Sequence, residues 1–294
     1  AGWIAPPRVI DLPVNLATIT AQLKHDTGID FSEYKESTVR RQVQRRMAIR
    51  QITVIDDYLP LLEADPDESR ALLQNLLVTV TSFFRDGQAF EGLKSCLATY
   101  LEHREEAGPV RVWVPGCATG EEVYSLAMLL SEVMGHPADL AGQLKIFGTD
   151  LDEHSLMVAR HAAYPVSEAP AIPADLRQRF VSEQGGELVI HERLRACAVF
   201  ASHNVGQDPP FPRLDLVSCR NTLIYFTAPM QERVLRFFRF SLLPGGLLFL
   251  GNSESLGARS PGFELIDSES HIYQRLAEVR ERHRPGLPVP LQRE

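Results

Sequence analysis

The first eighty residues carry apolar side chains at helical spacing. Three stripes recur at intervals of three and four residues, the spacing of one face of an α-helix. They consist of Leu16, Ile19 and Leu23; of Ile55, Tyr58, Leu59 and Leu62; and of Leu73, Leu76, Leu77, Val80 and Phe84. The pattern predicts a small all-α N-terminal domain, to which we assign residues 14–85.

Beyond residue 108 the pattern changes to short apolar runs separated by amphipathic helices. A helix predicted over residues 88–106 ends at a break marked by Gly108 and Pro109. Five runs of strand length follow, at 110–114, 144–148, 198–202, 214–218 and 247–250. Apolar runs alternating with helices are typical of an α/β domain with a mostly parallel sheet, which we expect to span residues 86–276.

Residues 170–196 fit this alternation poorly. After a short helix predicted over 174–180, Gly185 and Gly186 separate two apolar pieces, which indicates an antiparallel hairpin. We therefore predict a small inserted β-subdomain over 170–196. Residues 277–294 are charged and proline-rich without an apolar stripe, which predicts a linker or tail within a larger multidomain protein.

Composition and charge exclude several classes of protein. The 294 residues carry 30 Lys and Arg against 38 Asp and Glu, so no overall attraction to nucleic acid is expected. The apolar run at 242–250 is far shorter than the roughly 20 residues that span a bilayer, and the N-terminus lacks a signal sequence, which favours a cytoplasmic protein without membrane insertion. Four scattered cysteines and no histidine ladder predict neither disulfides nor a metal site.

The turn after the first predicted strand has the character of a cofactor loop. Gly116 and Gly120 lie four residues apart between strand and helix, where glycine allows a sharp bend and close approach of a ligand. The spacing matches neither the dinucleotide nor the P-loop motif, whereas S-adenosylmethionine needs no pyrophosphate cradle. Thr119 and Glu122 could form a helix capping box, or Glu122 could face the amino group of a bound amino-acid moiety, and both roles can coexist.

The second predicted strand ends in Asp150. A carboxylate at this position of a nucleotide-binding sheet can accept hydrogen bonds from both ribose hydroxyls. Alternatively, Asp150 or Asp152 caps the helix that begins near Glu153. A metal-binding Asp-x-Asp pair lacks further ligands in the sequence.

Four motifs occur in a characteristic order: TSFFRD at 81–86, GCATGEEVYS at 116–125, TDLD at 149–152 and CRNTLIYF at 219–226. Together they closely resemble the bacterial chemotaxis receptor glutamate O-methyltransferases, the CheR family, over about residues 16–276. The resemblance implies a Rossmann-like α/β S-adenosylmethionine-dependent methyltransferase domain with an inserted β-subdomain, preceded by a small all-α domain. It also implies methyl transfer to glutamate side chains on the cytoplasmic helices of chemoreceptors, without a metal.

Family motifs assign roles to individual residues of this chain. The cofactor-binding residues that the resemblance implies are Thr79, Thr81, Arg85, Gly116, Glu122, Asp150, Asn204, Val205, Arg220 and Asn221. The family commonly has Asn at the first of these positions, so Thr79 departs from its pattern. In some members the β-subdomain docks receptor tails, but the hairpin loop at 182–187 is short here.

Arg85 and Tyr225 are the expected catalytic residues. Arg85 could orient the acceptor carboxylate with a bidentate fork, and Tyr225 could donate a hydrogen bond at the reacting centre. The structural alternatives are that Arg85 pairs with Asp86 or another acid and that Tyr225 packs within an apolar run.

A basic segment between residues 37 and 51 contains no acid. Its arginines are Arg40, Arg41, Arg45, Arg46 and Arg50. They could form a solvated face paired with Asp56 and Asp57, or they could dock an acidic, glutamate-bearing receptor helix. Nucleic acid is a weaker candidate partner because no aromatic residues are interleaved with the arginines.

Two other functions remain open at this stage. One is a non-catalytic signalling scaffold that binds S-adenosylmethionine or S-adenosylhomocysteine, although the presence of Arg85, Asp150, Asn221 and Tyr225 argues against a degenerate site. The other is an S-adenosylmethionine enzyme that acts on nucleic acid or small molecules, which only the basic segment favours.

Overall fold

A computed structural model describes residues 13–256 and 262–277 of the chain. The first twelve residues and residues 278–294 of the predicted tail lie outside it. Within the described part, no helix is long and apolar enough to cross a membrane.

Four helices open the described chain and share one core. They are α1 (Pro13–Thr27), α2 (Glu36–Ile49), α3 (Ile55–Ala64) and α4 (Pro66–Leu76). Leu23, Tyr58 and Leu72 are fully buried at its centre, so the predicted all-α domain is confirmed. The third predicted stripe was too long, because α4 ends at Leu76 and Val80 is 77% exposed.

The rest of the described chain alternates strands and helices. In chain order these are α5 (Gly87–Glu102), β1 (Val110–Pro115), α6 (Glu121–Val133), α7 (Leu140–Gln143), β2 (Leu144–Asp150), α8 (Glu153–His161), β3 (Ala163–Pro165), α9 (Ala174–Phe180), β4 (Val181–Gln184), β5 (Glu187–Ile190), α10 (Glu192–Arg195), β6 (Ala198–Ser202), β7 (Leu214–Cys219), α11 (Ala228–Ser241), β8 (Leu242–Leu250), β9 (Phe263–Asp267) and β10 (Ile272–Arg275). The five predicted strands are all present, and β8 begins five residues earlier than predicted, at Leu242 instead of residue 247.

The described strands include a seven-stranded sheet in the order β6-β2-β1-β7-β8-β10-β9. Neighbours from β6 to β8 are parallel, and only β10 runs antiparallel to the strands on either side. Strand β2 pairs with β1 on one side, and β7 pairs with β1 on the other side. The connections after β1 and β7 therefore diverge at the carboxyl edge. Ligands of open α/β sheets bind in the crevice at such a switch point.

Side chains from β1 show how the sheet separates two core clusters. Val112 and Val114 pack on one face with α5 and α6, whereas Trp113 packs on the other with Phe238 of α11. This alternation follows from the two-residue period of a strand. Burying each large apolar side chain contributes roughly 2 kcal/mol, so both faces hold the sheet rigid beneath its carboxyl edge.

The inserted β-subdomain is also present. The short strands form a separate antiparallel sheet in the order β3-β5-β4. Gly185 and Gly186 join β4 to β5 with φ angles of +59° and +85°, as a tight hairpin turn requires. The predicted helix over 174–180 is α9.

Candidate functional site

An elongated cleft lies at the carboxyl edge of the sheet, beside the switch point. Its two ends share Gly116, Val78 and Tyr225 on their walls. We call one the Asp150 end, which is also lined by Tyr34, His203, Asn204, Val205 and Thr222. The other is the Glu122 end, which is also lined by Thr81, Arg85, Ala118, Arg220 and Asn221.

The loop between β1 and α6 forms the floor between the two ends. Gly116 has a φ of +70°, and a Cβ there would lie 2.5 Å from Oγ1 of Thr222. The amide groups of Gly116 and Cys117 donate to the carbonyl of Thr149 at 2.7 and 3.0 Å, which ties the loop to the end of β2. Glycine is therefore required at 116 for both backbone angle and space, as expected of a cofactor loop.

Asp152, and not Asp150, takes the helix-capping role that the sequence left open between them. Asp152 caps α8, because its carboxylate accepts from the amides of His154 and Ser155 at 3.2 and 3.3 Å. Asp150 instead accepts from the amides of Ala118 and Asp152 at 2.8 and 3.0 Å, one on each oxygen. A carboxylate offers about four acceptor positions, so both oxygens retain capacity toward the cleft. Burial raises the pKa of Asp150, which these amides partly oppose.

Glu122 does not belong to a capping box, and that alternative is wrong. The left-handed backbone of Gly120, with φ +93°, occupies the N-cap position, so the hydroxyl of Thr119 donates to Glu121 instead. The carboxylate of Glu122 accepts from Oγ of Ser218 at 2.6 Å and from Arg220 at 3.3 Å. Burial raises the pKa of Glu122, and the Arg220 guanidinium opposes that rise.

Arg220 is a buried cation that organises the Glu122 end. Its guanidinium donates to Asp86 at 2.8 Å and lies over the ring of Phe249, 4.6 Å from its centroid. Among the described residues, no hydrogen-bond partner is present for its buried Nε. Asp86 pairs with Arg220, and Arg85 forms no ion pair with a described residue, so the structural alternative that Arg85 pairs with Asp86 or another acid is wrong.

The side chains of Arg85 and Tyr225 line the cleft. Arg85 is half-buried and donates to the carbonyl of Val80 at 3.1 Å. Tyr225 ends a short 3-10 helix, Leu223–Tyr225, in which Leu223 takes the buried position. Tyr225 is half-buried: it packs against the core on one face of the sheet, as the structural alternative predicted, and it also lines the cleft.

Glu254 is a residue of this site that the sequence analysis missed. Its buried carboxylate accepts from the amides of Asn221 and Leu223 at 2.7 Å and of Gly251 at 2.9 Å. Asn221 has a left-handed φ of +57°, which a non-glycine residue adopts at a cost unless the surroundings hold it. The available signal was an acid shortly after β8, at the same sheet edge as Asp150.

Of the remaining residues assigned to the cofactor, Asn204 and Val205 line the cleft and Thr79 does not. Asn204 and Val205 line the Asp150 end, and the side-chain oxygen of Asn204 accepts from the amide of Gly206 at 3.0 Å. Thr79 lines neither end and is exposed. Its neighbours Val78 and Val80 line the cleft. We therefore do not retain Thr79 as a cofactor residue.

The basic segment, which forms α2, is mostly paired within the chain. Arg46 donates to Glu68 at 2.7 and 2.8 Å, and Arg50 donates to the same carboxylate at 2.6 Å. Arg50 also pairs with Asp65, and Arg40 pairs with Glu36, so Asp56 and Asp57 are not the main partners that we expected.

The predicted docking face of five arginines is therefore too large. Arg40, Arg46 and Arg50 stabilise the helical domain. Arg41 and Arg45 are exposed, and neither forms an ion pair with a described residue.

The residues of the cleft fit S-adenosylmethionine. Asp150 offers acceptors for the ribose, and Glu122 with Arg220 and Arg85 offers both signs of charge for the zwitterionic methionyl part. Gly116 leaves space where a side chain would collide with Thr222. Within the described ranges, no group of three or more His, Cys, Asp or Glu side chains is placed to hold a metal ion.

Sequence comparisons identify the family. The CheR methyltransferase SAM binding domain matches residues 79–272, and the CheR methyltransferase all-alpha domain matches residues 15–77. Chemotaxis protein methyltransferases of Klebsiella aerogenes and Salmonella typhimurium are each 33% identical, over 81% and 78% of this chain and 82% and 79% of their own lengths. An uncharacterized 104.1 kDa protein of Rhodobacter capsulatus is 40% identical over 89% of this chain, which spans 27% of that relative. The chain therefore belongs to the CheR family of S-adenosylmethionine-dependent methyltransferases.

Proposed function

We propose that this protein methylates glutamate side chains on the cytoplasmic helices of chemoreceptors or receptor-like signalling proteins. It uses S-adenosylmethionine and produces glutamyl methyl esters and S-adenosylhomocysteine. The observation that carries the proposal is the placement of Arg85 and Tyr225 on the wall of an otherwise complete cofactor cleft. The relatives named as chemotaxis protein methyltransferases support the choice of substrate.

The chemistry requires positioning more than proton transfer. A glutamate carboxylate has an ordinary pKa near 4.3, so it is ionised at neutral pH and needs no general base to act as a nucleophile. When bound, S-adenosylmethionine supplies an electrophilic methyl group. Holding two reactants in line supplies much of the rate enhancement in such a reaction.

Residues at the Glu122 end can perform this positioning. Arg85 keeps most of its guanidinium donors free of described partners, and their planar fork matches a carboxylate. Tyr225 offers a hydroxyl on the same wall.

Docking of an acidic receptor helix fits the exposed part of α2. Arg41 and Arg45 lie at i and i+4 on the solvent face of that helix. The amide of Lys35, just before α2, donates to the carbonyl of Tyr225 at 2.8 Å, so the helix starts beside the cleft. A receptor helix attracted to this surface would lie next to Arg85 and Tyr225, which we call the catalytic wall.

The alternatives predict different products. A signalling scaffold would bind S-adenosylhomocysteine without transferring a methyl group, and an enzyme of other specificity would label nucleic acid or a small molecule. The match to only part of the Rhodobacter capsulatus protein is consistent with a place in a larger signalling protein.

Methyl transfer from labelled S-adenosylmethionine to the cytoplasmic fragment of a chemoreceptor from the same organism tests the proposal. We expect label in the receptor that is released as methanol by mild base, as a carboxyl ester requires. Arg85→Ala should lower the rate at saturating cofactor and receptor, and Arg236→Ala, at an exposed position of α11, serves as the matched control. Base-stable label, or label in nucleic acid, would refute the glutamate assignment.

A further inference from the structure

Tyr34 joins the helical domain to the cofactor cleft. Its ring packs edge-on against Phe31, at a centroid distance of 4.8 Å, and against Phe226, at 5.1 Å. Phe31 belongs to the core of the helical domain and Phe226 to the core on one face of the sheet. Tyr34 also lines the Asp150 end, so a residue of the helical domain contributes to the wall of the cleft.

Backbone hydrogen bonds fix Tyr34 relative to the catalytic wall. The amide of Lys35 donates to the carbonyl of Tyr225 at 2.8 Å, and the amide of Thr227 donates to the carbonyl of Glu33 at 2.9 Å. Tyr34 and Phe226 thus form an isolated antiparallel bridge between the two domains. The loop between α1 and α2 therefore cannot shift without moving the chain that carries Tyr225.

A single guanidinium connects this loop to a second wall of the same end. Arg233 of α11 donates to Glu33 at 3.0 Å and to the carbonyl of Gly206 at 2.9 Å. Gly206 directly follows Asn204 and Val205, which line the Asp150 end. We call Glu33, Gly206 and Arg233 the Arg233 clamp. None of the three lines either end of the cleft.

The chemistry of Tyr34 suits the nucleoside part of a ligand. Its ring offers an apolar face beside Val205 and Phe226. Burial raises the pKa of the Tyr34 hydroxyl, and the charge of Asp150 raises it further, so the group remains a neutral donor. In the described part of the chain this hydroxyl has no hydrogen-bond partner.

We propose that Tyr34 is a cofactor-contacting residue supplied by the helical domain, and that the Arg233 clamp couples cofactor binding to the seating of that domain. The coupling is reciprocal, so cofactor binding also fixes α2, which carries Arg41 and Arg45, against the catalytic wall. This inference rests on the family's cofactor and not on the receptor substrate, so failure to methylate a receptor would leave it standing.

Hydrogen–deuterium exchange of the whole chain with and without S-adenosylhomocysteine tests it without any substitution. We expect slowed exchange at residues 31–36 and in the first turn of α2, in addition to the segments of the methyltransferase domain that line the cleft. Protection confined to residues 79–272 would overturn the inference.

Calorimetry with S-adenosylhomocysteine provides the second measurement. Tyr34→Leu should weaken binding by about tenfold, because the ring is lost from the wall. Tyr34→Phe, which keeps the ring, should stay within about threefold of the unsubstituted protein.

Arg233→Ala should weaken binding about threefold or more although it lies off the cleft wall, whereas Arg236→Ala, one turn along α11 and exposed, should not. Affinities equal to that of the unsubstituted protein for both Tyr34→Leu and Arg233→Ala would overturn the proposal.

Discussion

At the scale of single residues, the site depends on buried carboxylates at the carboxyl edge of the sheet. Burial raises the pKa of Glu122, Asp150 and Glu254, while amides or a guanidinium oppose the rise at each position. Perturbed acids gathered in one cleft are typical of functional sites. Two of them face the cleft, and Glu254 instead holds the loop that carries Asn221.

Cofactor affinity should therefore depend on pH. Binding favours the ionised forms of Glu122 and Asp150, whose pKa values are raised above their ordinary values in the free protein, so binding releases protons. Affinity for S-adenosylhomocysteine should rise as the pH increases through the range in which these carboxylates ionise, and it should level off above that range. Calorimetry across this range measures the change. Glu122→Gln should flatten the curve, and an affinity independent of pH in the unsubstituted protein would contradict this account.

Glu254 should act as a positioning residue. Glu254→Gln removes the charged acceptor from several amides, which should cost about 2 kcal/mol or more of unfolding free energy. It should also weaken S-adenosylhomocysteine binding, because the loop at Asn221 and Leu223 loses its anchor. Chemical unfolding and calorimetry report the two effects. Glu264→Gln, at an exposed acid of β9, is the matched control, and unchanged affinity in Glu254→Gln would show that Glu254 serves stability alone.

At the scale of elements, the basic helix shows why a charge pattern cannot be assigned from sequence. Four of the five arginines lie in α2 and Arg50 directly follows its last residue, but α4 brings Glu68 against only part of this surface. The sequence located the five arginines within one short segment. It could not show which arginines face α4, because that depends on how the helices pack.

Glu68 should be one of the main stabilising residues of the helical domain. Burial alone would raise its pKa, but hydrogen bonds from Arg46, Arg50 and Tyr58 outweigh this and lower the pKa to about 2. Glu68→Ala leaves Arg46 unpaired at a largely buried site and should cost roughly 3 to 5 kcal/mol. Urea unfolding measures the loss, with Glu63→Ala at an exposed position of α3 as the control.

Glu68 should also make the stability of the folded protein depend on pH under acidic conditions. The contribution of Glu68 to the free energy of unfolding is fully present above the pKa of the residue in the unfolded chain, near 4.3. It is lost as the pH falls toward about 2. Equal stability of Glu68→Ala and the unsubstituted protein at neutral pH would contradict this role.

Arg41 and Arg45 should instead affect the receptor substrate. Reversing either charge to Glu should raise KM for the receptor several-fold, because an acidic helix would be repelled, while affinity for S-adenosylhomocysteine stays unchanged. Added salt should reduce the difference between variant and unsubstituted protein. Arg236→Glu is the charge-matched control on a different helix. Equal losses of cofactor affinity and receptor methylation would exclude a docking role.

At the scale of the whole molecule, the sequence predicted the features that depend on local patterns. It did not predict contacts between residues that are distant in sequence. Strand runs, the glycine loop and the hairpin depend on neighbouring residues, so the elements and the α/β class were predictable. Tyr34 and Glu254 reach the site through contacts with residues distant in sequence, and neither lies in a pattern of spacing. The capping box failed because the left-handed backbone at Gly120 displaced Thr119, which hydropathy does not report.

The two domains together build the cleft. The helical domain contributes Tyr34, and the sheet contributes Asp150, Glu122 and Asn221. A site assembled in this way should bind the cofactor product tightly only in the intact fold.

Isothermal titration with S-adenosylhomocysteine tests most directly whether this cleft is the cofactor site. We predict one-to-one binding, weakened by about 2 to 3 kcal/mol in Asp150→Ala, because the ribose hydroxyls would lose the carboxylate to which we propose that they donate. Asp152→Ala, which removes the cap of α8, should instead lower thermal stability with little change in affinity. No binding by the folded protein, or equal affinity in Asp150→Ala, would contradict the assignment of this cleft.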